Sequence, residues 1–327
     1  MPKDIPLWQW NDLTERRLSR SVDAGRTQQL DLFADNRRTI LLNQAHDALL
    51  RLDLAAAIAS YGKIIADHLD DRAIRAELEL VKTWQSHLVR FRESTRDIEQ
   101  IHRLYTELAG KLPHRLRTSL LEFIVAQMQT VEDVELVFIP PRFHVGLILS
   151  ELGNHVDAEI WLARAVDAGI QPKGRFMAYR GDAMFHLGSD DLARGLYREA
   201  FLRDPLNIDL PYLADRSVHE LVTDVEAEVD EPSEILPWLP VWGWLSSIFT
   251  LDLNDLVTDR SRVLAMLSEA ESADSLTVPQ VWYEYLRYAE YLRTSHRDDQ
   301  ELIRARRRLK ELNDGMFRRY MKKIGGG

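Results

Sequence analysis

A block of this chain repeats at an offset of 35 residues. Residues 142–172 line up with 177–205: Gly146 falls on Gly181, Gly153 on Gly188, Ala158 on Ala193, Leu162 on Tyr197 and Ala165 on Ala200. A period of about 34 residues marks helix–turn–helix units that bury their apolar faces only by stacking on one another. The repeat therefore predicts an all-α chain that grows by addition of hairpins, without a single closed core. Glycine and proline, at 15 and 12 in 327 residues, are sparse enough to leave room for long helices.

Apolar periodicity extends the pattern. Leu42, Ala45, Leu49 and Leu52 fall at three- and four-residue steps, and Ala57, Ile58, Tyr61, Ile64 and Ile65 follow in the same way. Together they predict a helical hairpin. Further helices are predicted over 73–91, 98–108, 114–129, 131–138, 209–229 and 253–271. Thr277 and Gln280 form a capping box around Pro279 before a helix over 281–293. A last, basic helix starts near Asp299. Residues 1–37 then read as an aromatic arm (5–10) and a first helix, and 38–230 as helical repeats. Residues 231–252 are a linker-like Pro/Trp-rich segment, and 253–327 are C-terminal helices with a basic end.

The small residues of the repeat need a physical reason, and close packing supplies it: two helices cross tightly only where the side chains between them are small. Gly181, Ala193 and Ala200, with bulky Tyr197 between the last two and Pro205 beyond, resemble the tetratricopeptide repeat. Gly146, Ala158, Leu162 and Ala165 make a second such unit, and Ala45, Ala57, Tyr61 and Ile64 a worn one. The resemblance is clear over 139–206 and degenerate over 38–71. It implies a right-handed solenoid whose concave groove is lined by the first helix of each hairpin. Carried onto this chain, the groove positions are Phe143, Leu147, Glu151, Arg175, Asp182, Phe185 and His186. The Lys and Asn by which some members of that family hold a terminal carboxylate are replaced here by Phe143, Leu147, Ala178 and Asp182, so no carboxylate clamp is expected.

Chemistry-bearing patterns are missing. The chain has no Cys, which excludes disulfides, thiolate metal sites and Cys nucleophiles. It carries no phosphate-binding glycine loop, no hydrolase elbow and no paired-His zinc motif. No enzyme, cofactor or metal site is therefore expected. No apolar leader and no apolar run of about 20 residues occurs, so the expected location is the cytoplasm, without a membrane span.

Net charge is -10, which disfavours broad nucleic-acid binding, yet the charge is uneven. Residues 304–323 hold nine basic and two acidic residues, and 224–234 hold six acidic and no basic ones. The basic end pairs with that acidic run or stays solvated; alternatively Arg306, Arg307, Arg308, Lys310, Arg318 and Arg319 meet nucleic-acid phosphates. Trp238, Trp242 and Trp244 either cap the repeats by packing on them, anchor a partner or touch a membrane interface. The expected function is a non-enzymatic scaffold or adaptor that binds a protein or peptide in the groove. The alternative is a nucleic-acid-associated regulatory protein that uses the basic end.

Overall fold

A computed structural model describes residues 24–254 except 68, 94–96, 111–113 and 230, together with 256, 265, 267, 277–295 and 299–325. The aromatic arm at 5–10 lies outside the described residues, as does nearly all of the helix expected over 253–271. Fourteen α-helices and no strand occur among the described residues, so the fold is all-α. The chain divides into two compact units, residues 1–96 with 103–120, and residues 97–102 with 121–327.

In the first unit α1 (Ala24–Leu50), α2 (Leu54–Asp67) and α3 (Arg72–Glu93) pack in sequence order. Ala45 and Leu49 on α1, Ala57, Tyr61 and Ile64 on α2, and Val81 and Trp84 on α3 are fully buried. These are the three- and four-residue stripes that periodicity marks. Aspartates start the helices. Asp53 accepts from the Ala56 N–H (3.0 Å) and Asp71 from the Ile74 N–H (3.1 Å), which satisfies donors that a first turn leaves free. Asp71 also accepts from Arg38 at 2.7 Å, and that guanidinium holds its carboxyl below the usual range.

Next come α4 (Ile98–Leu104), which runs on into a π-helical turn over Tyr105–Ala109, and α5 (His114–Met128). Beyond α5 the expected helix over 131–138 is only a 3-10 turn, Val134–Leu136. Its start, Asp133, is left-handed (φ 50°), and β-branched residues and the prolines at 140 and 141 oppose propagation.

The repeated block forms two hairpins: α6 (Val145–Glu151) with α7 (His155–Ala168), and α8 (Lys173–His186) with α9 (Asp190–Arg203). Each turns through a left-handed glycine, Gly153 at φ 76° and Gly188 at φ 74°. Each closes in the same way. A Cβ at Gly146 would stand 2.7 Å from Leu162, and one at Gly181 would stand 2.7 Å from the Tyr197 ring. His144, fully buried, caps α6: its Nδ1 accepts from the Gly146 N–H (3.1 Å), while Nε2 lies 3.0 Å from the Glu135 carbonyl. That pairing fixes a neutral ring with the proton on Nε2, and burial brings its pKa down to about 4.

After α9 the repeat breaks. The helix expected over 209–229 is unwound as far as Asp215: two 3-10 turns, Pro205–Asn207 and Leu210–Tyr212, precede α10 (Arg216–Glu226). Pro211 lacks the N–H a helix needs, and Asp215 caps α10 by accepting from the Ser217 N–H at 2.8 Å. The linker expected around Pro237 and Pro240 is instead helix α11 (Pro232–Leu245), with Pro232 in its first turn. A helix that is apolar on all sides gains enough by burial to outweigh two missing N–H bonds. Ile235, Trp238, Leu239, Val241 and Trp242 are all buried.

The chain ends with α12 (Val278–Ser295), α13 (Asp299–Leu312) and α14 (Asp314–Gly325), so the single basic helix expected from sequence is two, parted at Asn313. Thr277 and Gln280 meet as expected, with the Gln280 side chain accepting from the Thr277 N–H at 2.8 Å. Trp238 meets Trp282 edge to face at 6.0 Å, and Trp282 Nε1 donates to the Leu309 carbonyl at 3.0 Å. No helix among the described residues is long and apolar enough to cross a membrane.

Candidate partner-binding surface

Arg175, Tyr179 and Asp182 stand at i, i+4 and i+7 on α8, so they share one face of that helix. All three hold the irregular segment that follows α9. Arg175 Nε donates to the Asn207 carbonyl (2.9 Å) and its Nη2 lies 3.5 Å from Asp209. The Tyr179 hydroxyl donates to Asp209. Asp182 Oδ1 accepts from the Tyr197 hydroxyl (2.6 Å) and from the Ala214 N–H (2.8 Å). Burial pushes the Asp182 carboxyl up to about 6, although Tyr197, Ala214, Arg142 and His219 all pull the other way.

Arg142 completes this constellation, and sequence reasoning missed it. Its guanidinium carbon stands 4.0 Å from the centre of the Tyr212 ring and 5.2 Å from that of Tyr179. Its Nη1 is buried and makes no hydrogen bond among the described residues. Arginine stacked on aromatic faces gains cation–π attraction in place of hydrogen bonds. Tyr212 is 57 % exposed, and Leu206, six residues earlier in the same irregular segment, is 71 % exposed. Arg142 and Tyr212 are 70 residues apart and neither lies on an α-helix, so no periodicity links them. The available signal was composition: an Arg in a Pro-Pro-Arg-Phe loop, and a Tyr directly after Pro211.

The other expected groove residues are dispersed. Phe143 and Leu147 are corrected from surface anchors to core, at 1 % and 5 % exposure. Phe143 forms a two-way backbone bridge with Ile139 (3.0 Å each) and meets the His102 ring edge-on at 4.8 Å. Leu147 sits in the apolar run Val145, Gly146, Leu147, Ile148, Leu149, buried throughout, so only the last two residues of α6, Ser150 and Glu151, reach solvent. Glu151 is exposed at the end of α6. Phe185 is half-buried beside His186, with ring centres 6.4 Å apart. The exposed His186 stacks on His155 at 4.3 Å, and burial, then the His186 charge, lowers the His155 pKa.

At the basic end, several cations are engaged by groups of the chain itself. Arg319 donates to Glu228 (2.7 Å), within the acidic run, and covers the Trp242 ring at 4.5 Å. Arg306 stands over the Tyr320 ring at 5.9 Å. Lys323 donates to the Leu245 carbonyl (2.9 Å) at the end of α11 and stands over Trp244 at 5.0 Å. Arg307 and Arg308 pair with Glu311, and Arg318 pairs with Asp314. Lys310 is exposed. Trp238 and Trp242 are buried and Trp244 is half-buried. No group of three or more metal-ligating side chains occurs among the described residues. No protein-family model, no curated protein and no solved structure matches the chain.

Proposed function

We propose that the chain is a non-enzymatic interaction scaffold: a tetratricopeptide-like solenoid over its repeat region that binds a protein or peptide. The matched closures of Gly146 on Leu162 and Gly181 on Tyr197, with left-handed glycines at the same repeat position, support the repeat reading. The observation that carries the binding reading is the stack of Arg142 on Tyr212, with Tyr212 and Leu206 open to solvent. An exposed Tyr stacked on an Arg has the composition of an interface hot spot. Because 205–215 lies along the Arg175–Asp182 face of α8, the partner meets the outer side of that segment. Arg175 and Asp209 then supply charge selectivity at the rim. A cytoplasmic location belongs to the same proposal. Nucleic acid at the basic end is the weaker reading, since Arg306 and Arg319 are turned onto Tyr320 and Trp242.

The test is affinity capture from native lysate with the full chain as bait, beside a Tyr212→Ala, Leu206→Ser variant. Leu206 is exposed, so its change should move stability by no more than about 0.5 kcal/mol, while Tyr212→Ala, which loses the Arg142 stack, should cost about 0.5–1 kcal/mol. We expect a recurrent protein partner that the variant loses while its circular dichroism spectrum stays helical and its melt remains cooperative. An identical set of recovered proteins from both baits would sink this surface.

A further inference from the structure

A second surface lies at the basic end, independent of the Arg142–Tyr212 face. Across the break at Asn313, α13 and α14 together line an open concavity of about 790 Å³ with Arg307, Lys310, Glu311, Asp314, Phe317, Arg318 and Met321. Arg307, Lys310 and Glu311 share one face of α13, Asp314, Phe317, Arg318 and Met321 share one face of α14, and the two faces meet in this concavity. The opposite face, Ala305, Leu309, Met316 and Tyr320, is the buried one. Ile303, largely exposed, continues the open face one turn upstream of Arg307.

The chemistry of this face is mixed in a defined way. Phe317 and Met321 give an apolar floor one turn apart on α14. The Arg307 and Arg318 side chains are 81 % and 78 % exposed, and each is paired with a carboxylate four residues away in sequence. Exposed pairs of this kind are worth only about 0.3–0.5 kcal/mol, so either guanidinium can turn to a new carboxylate at little cost. Lys310, exposed between them, has no ion pair among the described residues. The surroundings reinforce the sign, since 304–323 carries nine basic and two acidic residues in a chain of net charge -10.

We infer that this face docks an acidic amphipathic helix of a partner protein. Its apolar side chains rest on Phe317 and Met321, and its carboxylates meet Arg307, Lys310 and Arg318. Helix-in-groove recognition needs this arrangement: an apolar floor at helical spacing, with charges along its edges. Nucleic acid fits less well. The aromatic rings that bases would stack on, Trp242, Trp244 and Tyr320, are already covered by Arg319, Lys323 and Arg306.

The experiment uses the full chain and a fluorescein-labelled four-turn helical peptide with Leu along one stripe and Glu on both flanks. A peptide with the same stripe and Lys flanks serves as one control, and a single-stranded uridine oligonucleotide as another. Fluorescence anisotropy should show binding of the Glu peptide alone. Affinity should fall about tenfold in Arg307→Gln, Arg318→Gln, about 1.4 kcal/mol, and in Met321→Glu, which is open enough to spare the fold. Arg216→Gln, a cation exposed elsewhere on the surface, should change nothing. No binding of the Glu peptide, or binding that survives the double Arg variant, would overturn the inference. Tighter binding of the oligonucleotide, lost in that variant, would also overturn it in favour of nucleic acid.

Discussion

The hairpins α6–α9 and the helix α11 use one device in opposite ways. In the hairpins a glycine lets a bulky side chain of the paired helix close in, Leu162 over Gly146 and Tyr197 over Gly181. In α11 it is Gly243 that admits a ring, and the ring is Phe249, six residues on in the same chain. The first contact joins two helices and recurs at the repeat spacing. The second folds a helix end back on itself, where the Phe249 N–H donates to the Gly243 carbonyl at 3.0 Å. Small-against-large packing therefore announces itself in sequence only where it repeats.

The sharpest way to break this comparison is to add one methyl group at each site. A Cβ at Gly243 would lie 2.2 Å from Phe249 Cδ2, in a buried pocket where the ring has nowhere to move. Overpacking of that kind costs about 3 kcal/mol, offset by about 1 kcal/mol from the better helix propensity of Ala. Gly243→Ala should therefore lose about 2 kcal/mol in urea unfolding. Gly181→Ala, against a ring edge at 2.7 Å, should lose about 1 kcal/mol. Equal losses would show that the two contacts are equally tight and remove the distinction.

The same contrast explains what was legible. The stripes of α1 to α3, the glycine register of 139–206 and the Thr277–Gln280 cap are local patterns, and sequence displays them. Arg175 and Asp182 share a face of α8 at i and i+7, as their spacing says, but that face holds the chain's own 205–215 segment, which the spacing does not say. The rest is tertiary. Pro237 and Pro240 read as breakers, yet burial of Trp238, Leu239 and Val241 holds the helix. Phe143 and Leu147 read as groove residues, but Phe143 precedes α6 and is packed on His102, and Leu147 lies in the buried apolar run of that helix. Arg142 meets Tyr212 because 205–215 is irregular and not the expected helix, and nothing in the local sequence of either residue specifies that meeting.

Asp182 is the point where the repeat and the unwound segment are tied, so its titration sharpens the comparison next. Its folded pKa, about 6, lies above the ordinary value of 3.8. The folded state therefore binds this proton more tightly than the unfolded chain does. The contribution of Asp182 to stability is greatest below pH 4, declines as the pH rises toward 6 and is level above that. Asp182→Asn keeps the Oδ1 that accepts from both Tyr197 and Ala214, and removes the buried charge. At pH 7 the variant should be more stable than the parent by about 1 kcal/mol, and the gap should close as the pH falls to 4. A pH-independent gap would mean that the charge at Asp182 is solvated, and that the tie to the unwound segment rests on geometry alone.

The smallest effect separates the two uses of the basic end. Arg319, 43 % exposed, is held against Trp242 and Glu228, whereas Arg318, 78 % exposed, lines the open face of α13 and α14. An exposed ion pair contributes about 0.2–1 kcal/mol, and a cation–π contact at a partly open site about 0.5–1 kcal/mol. Arg319→Gln should therefore lower stability by about 1 kcal/mol, while Arg318→Gln should leave it within about 0.3 kcal/mol. Added salt screens the Glu228 component and spares the contact with the ring, so the Arg319 effect should shrink in salt without vanishing. If Arg318→Gln proved as destabilising as Arg319→Gln, its guanidinium would be committed to the fold. The cations of the open face would then no longer be free to meet a partner's carboxylates.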